Sequence, residues 1–189
     1  MLVLASQSPR RAELLNQIGV VFSQYSVDID ETVQNHEAPI DYVRRMSQEK
    51  SSLGYQQYNS AQAVLGADTI VVAKGNILGK PKDKSDAIRM LSMLSDNIHQ
   101  VFTAVTITNG QQQKSIVLET QVCFGPLTTQ QMQWYWQTGE PQDKAGSYGI
   151  QGLGGQFVKY IEGSYSAVVG LPLYQTRMLL TEFGVMNEC

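Results

Sequence analysis

Leu2-Val3-Leu4-Ala5-Ser6-Gln7-Ser8-Pro9-Arg10-Arg11-Ala12-Glu13-Leu14-Leu15-Asn16-Gln17-Ile18-Gly19 carries the first structural signal of the chain. Its four leading apolar residues read as a short buried strand. Ser8-Pro9 then supplies a helix N-cap followed by proline at the first helical position, where its missing N–H costs nothing. Ala12, Leu15 and Ile18 recur at three-residue steps, which predicts a helix from Pro9 to about Ile18, and Gly19 supplies the stop. Val21, Ser23, Tyr25 and Val27 alternate with Phe22, Gln24 and Ser26, as in a second strand.

Outward from this unit, the alternation of helix and strand continues. Pro39 begins a second helix, with Ile40, Val43 and Met46 on one face and Glu49 and Lys50 near its end. Gln57 to Gln62 is polar and loop-like. Ala63 to Leu65 and Ile70 to Ala73 bracket Gly66-Ala67-Asp68-Thr69, which reads as a strand interrupted at a functional point. Lys74-Gly75-Asn76 is hairpin chemistry, and Gly79-Lys80-Pro81 ends the returning strand. Ala87, Met90, Leu91 and Leu94 mark a third helix. Val101 to Thr108 and Ser115 to Phe124 flank Asn109-Gly110, predicting a two-stranded antiparallel ribbon. Thr128 to Thr138 and Pro172 to Phe183 read as helices on either side of a glycine-dense stretch, Gly146 to Gly170. With no repeat and no dividing linker, the expectation is an α/β fold, a mixed sheet flanked by helices, in a single domain over 1–189.

Composition narrows the function classes. The 189 residues carry 14 Lys+Arg and 17 Asp+Glu, a net charge of −3. This disfavours bulk electrostatic adhesion to nucleic acid. Apolar runs of a few residues are far below the ~20 needed to cross a bilayer. The N-terminus lacks a basic n-region, so a cytoplasmic protein is expected. Cys123, read as a core filler, and Cys189 offer no metal-ligand spacing, and His36 and His99 are unpaired in sequence. Any catalytic metal must therefore sit on oxygen ligands, which points to Mg²⁺ or Mn²⁺.

Four sets of residues could carry chemistry. Ser6 to Arg11 places hydroxyls, free backbone N–H groups and two guanidiniums at a helix start, which favours an anion. Read alone, it is more simply a capped helix with solvated arginines, and the P-loop pattern is absent. Asp28, Asp30, Glu31 and Asp68 are carboxylates at element ends. Two of them could share a divalent cation, or one could take a proton from water. Asp68, with Leu65 and Ile70 nearby in sequence, is a poor candidate for simple solvation. Lys50, Lys80 and Lys144 are basic groups at turns or helix ends. In the glycine-dense stretch, Gln151 could read a nucleobase edge with its paired donor and acceptor, and Tyr148 could pack on the ring. Trp134 and Trp136 read as helix packing or interface residues, leaving a homodimer open.

Taken in order, Ser6-Gln7-Ser8-Pro9-Arg10-Arg11, Asp30-Glu31, Glu49-Lys50-Ser51, Gly66-Ala67-Asp68-Thr69, Gly79-Lys80-Pro81, Asp143 to Gly152 and Gly163-Ser164-Tyr165 through Pro172 resemble the Maf family of nucleoside triphosphate pyrophosphatases. Gln7 departs from a common glycine of the first motif. The resemblance implies a fold similar to inosine triphosphate pyrophosphatases, elongated and two-lobed with a cleft. It also implies a divalent cation and a small-molecule nucleotide cleaved to monophosphate and pyrophosphate. The Asp143-Lys144-Ala145-Gly146-x-Tyr148-x-Ile150-Gln151-Gly152 form is similar to the branch acting on dTTP and UTP rather than 7-methyl-GTP. By that resemblance Asp68 is the proton acceptor, and Glu31, Lys50 and Lys80 are catalytic or phosphate-binding. Ser8, Arg10, Arg11, Thr69 and Gln151 would bind substrate, and Glu31 and Asp68 would hold the metal. The rival readings are a nucleotide-binding regulator of cell division without turnover, a 7-methyl-GTP pyrophosphatase and a phosphatase releasing orthophosphate.

Overall fold

The computed structural model describes residues 1–58 and 62–187. In chain order the elements are β1 (Leu2–Ala5), α1 (Pro9–Gln17), β2 (Phe22–Tyr25), α2 (Pro39–Gln57), β3 (Ala63–Ala73), β4 (Asn76–Leu78) and α3 (Lys84–Leu94). They continue with β5 (Ile98–Thr108), β6 (Gln113–Phe124), α4 (Thr129–Gln137), β7 (Val158–Glu162), α5 (Tyr165–Val169) and α6 (Leu173–Glu182). Short 3-10 turns occupy Glu140–Asp143, Ala145–Ser147 and Leu153–Phe157. The strands form one seven-stranded sheet in the order β2-β1-β3-β5-β6-β7, with β4 paired to β3. β1 is parallel to β2 and β3, whereas β4 on β3 and β7 on β6 are antiparallel. The expected α/β class with a mixed sheet is borne out. Among the described residues no helix is long and apolar enough to cross a membrane.

Several expectations are corrected. β3 is continuous through Gly66-Ala67-Asp68-Thr69, because the small residues there admit a close neighbour rather than break the strand. α2 runs seven residues past Lys50, which lies within the helix and not near its end. The second strand is shorter than its alternation, covering only Phe22–Tyr25. β5 and β6 pair across a turn, as Asn109-Gly110 predicted, with Asn109 N–H donating to the Gln112 carbonyl, and the pair is built into the large sheet. Cys123 is only partly buried. The expected loop at 57–62 holds the helical Gln57, and its residues 59–61, like Cys189, lie outside the described residues.

The chain folds into two compact units, each assembled from separated segments. The first comprises Met1–Asp68, Thr103–Leu118 and Gly170–Cys189, and the second Thr69–Phe102 and Glu119–Val169. In the first, Leu2 to Ala5, Val64 and Leu65 are fully buried with Val43 and Met46 of α2. The α2 face toward the strands is a small-residue stripe, Ser47, Ser51 and Gly54, spaced four and three apart so that all three share one side of the helix.

The core of the second unit is aromatic. The Phe124 and Tyr148 rings meet edge to face at 4.8 Å, Tyr135 and Phe157 at 5.0 Å, and His99 and Phe124 at 5.0 Å. His99 Nε2 lies 2.8 Å from the Tyr148 hydroxyl. Burial pushes the His99 pKa down to about 4. In the unfolded chain this ring protonates near pH ~6.5. Between these values only the unfolded state takes up the proton, so the stability that a neutral His99 contributes is complete above the unfolded pKa. It drains by about 3 kcal/mol as pH falls toward the folded one. Thermal unfolding of wild type and His99→Gln over this range checks the point. The wild-type melting temperature should fall more steeply with acid, and parallel curves would show that His99 is not the titrating group.

Candidate active site

In the register of the parallel strands Ala5 is opposite Gly66, so β3 continues past the end of β1 and carries Asp68 beyond it. Where β1 stops, the chain turns through Ser6-Gln7-Ser8 into α1, and β2 and its exit hold this turn in place. Gln24 Nε2 donates to the Ser6 carbonyl at 2.8 Å, and Gln7 Nε2 donates to the Ser26 hydroxyl. Ser8 is the N-cap residue but makes no side-chain cap bond; its N–H donates to Ser6 Oγ at 3.2 Å. Arg11 Nη1 donates to the same hydroxyl at 3.1 Å, and its Nε donates to the Gly170 carbonyl at 2.9 Å. Burial lowers the Arg11 pKa and the Arg10 charge adds to this, while Asp68 and Glu31 act in the opposite direction. Arginine starts so high that it stays a cation. The helix start therefore presents positive charge fixed by hydrogen bonds at the end of a parallel strand.

Gly66 explains how α2 reaches this point. A Cβ there would collide with the Ser47 carbonyl oxygen and lie 2.5 Å from the Ser51 nitrogen, so only glycine lets the helix backbone come this close to β3. Ser51 Oγ donates to the Val64 carbonyl at 2.9 Å, and Ser47 Oγ lies 2.7 Å from Thr106 Oγ1. Lys50, one residue before Ser51, is thereby brought to two carboxylates. Its Nζ donates to Asp68 Oδ1 and to Glu31 Oε1, each at 2.8 Å. The Lys50 and Asp68 side chains are only 12% and 14% exposed, whereas Glu31 is 57% exposed. The inner pair is thus shielded, and the outer carboxylate faces solvent.

Glu31 lies on an irregular segment that α2 holds down. Tyr42 OH donates to the Glu31 carbonyl at 2.9 Å, and Arg45 Nη2 to the Thr32 carbonyl at 3.0 Å. Arg45 grips Glu37 through two bonds of 2.7 and 2.8 Å, and Glu49 through one of 3.3 Å. The Arg45 bonds draw the Glu37 pKa down to about 2. Burial, then the charges of Asp68 and Glu31, push the Tyr42 phenol up to about 12, so it stays a donor. None of Tyr42, Arg45 and Glu37 was singled out from the sequence. The four-residue spacing of Arg45 and Glu49 was the available signal.

Thr69, Lys80 and Gln151 belong to the second unit. Lys80 is exposed on the turn after β4, and that turn is held by a 3.1 Å bond from Gly146 N–H to the Gly79 carbonyl. Gln151 is exposed. Tyr148 is not available to pack on a base, because its ring is buried against His99 and Phe124. Lys144 is held by Asp143 and by the Glu140 carbonyl, at 3.3 Å for the latter.

The structure therefore brings together Asp68, Glu31, Lys50 and Arg11 of the expected set within one unit. Among the described residues no cluster of three or more His, Cys, Asp or Glu could hold a metal on its own. Asp68 and Glu31 offer the hard oxygen donors that Mg²⁺ or Mn²⁺ take, commonly one or two carboxylates with water and substrate phosphates completing the shell, and here the Lys50 ammonium bridges the two.

The site of this α/β protein thus combines a guanidinium-bearing helix start with a lysine-bridged carboxylate pair. Residues 1–183 match the family described as Maf-like protein, and the chain belongs to that family, as its motifs indicated. It is 57% identical over 192 residues to a dTTP/UTP pyrophosphatase of Pseudoalteromonas atlantica, the alignment covering 100% of both chains. It is 55% identical over 182 residues to a dTTP/UTP pyrophosphatase of Vibrio vulnificus, covering 96% of this chain and 98% of the other. A solved nucleoside-triphosphatase, a dITP/XTP pyrophosphatase of Mycobacterium abscessus, aligns at 14% identity with a TM-score of 0.42, covering 67% of this chain and 74% of that one.

Proposed function

We propose that this protein hydrolyses nucleoside triphosphates, dTTP and UTP foremost and modified pyrimidine nucleotides with them, to the nucleoside monophosphate and pyrophosphate. The observation that carries the chemistry is the Lys50 bridge, which holds Asp68 and Glu31 at 2.8 Å from one ammonium. The names borne by its relatives support the substrate class.

In this reading Asp68 accepts a proton from the water that attacks the α-phosphorus. The new P–O bond forms as the bond from the α-phosphorus to the α,β-bridging oxygen breaks, and the β- and γ-phosphates leave together as pyrophosphate. Lys50 orients Asp68 by donating to its Oδ1 at 2.8 Å. Arg10, Arg11, Lys50 and Lys80 offset charge on the phosphates and the leaving group. Ser8, Thr69 and Gln151 complete substrate binding, with Gln151 accepting from N3–H and donating to O4 of uracil or thymine. Glu31 and Asp68 would hold the divalent cation, which when bound supplies Lewis-acid polarisation of phosphate oxygens. The chain is taken to act in the cytoplasm, on a free nucleotide, with neither nucleic acid nor membrane as partner, and a homodimer accords with the exposed Trp134.

The test is to incubate purified protein with dTTP, UTP, CTP, GTP and 7-methyl-GTP, with Mg²⁺ or Mn²⁺ and with chelator, and to separate the products by ion exchange. Monophosphate plus pyrophosphate from dTTP and UTP, abolished by chelation, is expected. Diphosphate plus orthophosphate would move the attack to the γ-phosphorus and end this reading. Binding without turnover would leave a regulator.

A further inference from the structure

The loop that carries Gln151 is built around a carboxylate that no motif singled out. Glu140 lies in the 3-10 turn after α4, and both of its oxygens accept bonds from the far side of that loop. Oε2 accepts from the Leu153 N–H at 2.8 Å, and Oε1 from the Gly154 N–H at 3.0 Å and the Tyr135 hydroxyl at 2.7 Å. The Tyr135 hydroxyl in turn accepts from the Gly149 N–H at 3.1 Å. Backbone on both sides of Gln151, at 149 and at 153–154, is thus tied to one carboxylate and one phenol. Burial of Glu140 opposes its charge, but these donors and Lys144 outweigh it and hold the pKa below the usual range, so the clamp is an anion. Gly152 belongs to the same arrangement, since a Cβ there would run into the Glu140 carboxylate, whose carbon would be 2.6 Å away. Tyr135 is fully buried, so the clamp is anchored in the core.

An exposed Gln amide discriminates between bases only if its backbone is held. Uracil and thymine present an acceptor at O4 and a donor at N3, whereas cytosine presents a donor at N4 and an acceptor at N3, so a Gln free to turn over serves either. From this geometry we infer that Glu140, with Tyr135, is a positioning residue for pyrimidine selection, holding Gln151 so that its amide takes uracil and thymine over cytosine. The inference rests on the reading of Gln151 in the proposed function and adds to it the residues that enforce the choice.

The experiment measures kcat/KM for dTTP, UTP and CTP with Mg²⁺ in wild type, Glu140→Gln, Gln151→Ala and the double variant. Glu140→Gln keeps the side-chain length but turns an amide toward donors that need an anion. The preference for dTTP and UTP over CTP is expected to fall by about tenfold in Glu140→Gln. The double variant should be no less selective than Gln151→Ala alone, because Glu140 acts through Gln151. Wild-type selectivity in folded Glu140→Gln, or additive losses in the double variant, would overturn the inference. If Glu140→Gln does not fold, Tyr135→Phe, which removes only the hydroxyl, decides by the same ratio. A wild type that turns over neither dTTP nor UTP would sink the proposed function itself, whereas a selective wild type with a selective Glu140→Gln sinks only this inference.

Discussion

Asp68→Asn is expected to fold and to lose about three orders of magnitude in kcat for dTTP and UTP. The substitution keeps the shape of the side chain, and its carbonyl oxygen can still accept from Lys50. What disappears is the negative charge, and with it both the capacity to take a proton from water and the hard donor for a cation. Stability should change much less. Lys50, at 12% exposure, loses one charged partner but retains Glu31 at 2.8 Å. The cost should be about 1–2 kcal/mol, below that of stranding a buried charge altogether. Steady-state kinetics with thermal unfolding on the same preparation separates the two effects. Turnover near that of the wild type would remove Asp68 from both roles.

The locally encoded parts of this structure were legible in the sequence. β1, α1 and Gly19 follow from an apolar run, Ser8-Pro9 and a positive-φ stop, all set by neighbours in the chain. The Thr128 to Thr138 helix is held by a capping box between Thr128 and Gln131. Where reading failed, the deciding contact is distant in sequence. Gly66 looks like a break because glycine usually punctuates, yet its reason is the α2 backbone at Ser47 and Ser51. α2 extends through Ser51 and Gly54, weak helix formers in isolation, because Gly54 lets it rest on Ala5 and Val64 and Ser51 bonds the Val64 carbonyl. Asp68, Glu31 and Lys50 were legible as residue types, but not that one ammonium spans both carboxylates. Glu140 and Arg45 were missed because neither sits in a motif: beyond the Arg45–Glu49 spacing, the bonds of Arg45 to Glu37 and the Thr32 carbonyl and of Glu140 to the Leu153 and Gly154 N–H groups leave no record in one sequence.

The close approach at Gly66 leads to the largest expected effect on stability. In Gly66→Ala the added Cβ meets the Ser47 carbonyl oxygen and the Ser51 nitrogen, both backbone atoms locked into the hydrogen bonds of α2, so no rotamer change relieves the clash. The helix must lift from β3 or β3 must bow, at a cost of more than about 3 kcal/mol. Gly54→Ala is the natural comparison. Its Cβ would meet side-chain atoms, Ala5 Cβ at 2.9 Å and Val64 Cγ1 at 3.0 Å, and alanine gains helix propensity of about 1 kcal/mol over glycine. The second variant should therefore lose distinctly less stability than the first in denaturant titration. The same lift would draw Lys50 away from Asp68, because the lysine is carried on the helix turn that Gly66 admits. Folded Gly66→Ala should consequently show a lowered kcat as well as a lowered midpoint, whereas Gly54→Ala, a turn further along α2, should keep its kcat. If Gly66→Ala unfolded within about 1 kcal/mol of wild type and kept full activity, the helix would not need the missing side chain, and the account of how Lys50 reaches both carboxylates would have to be abandoned.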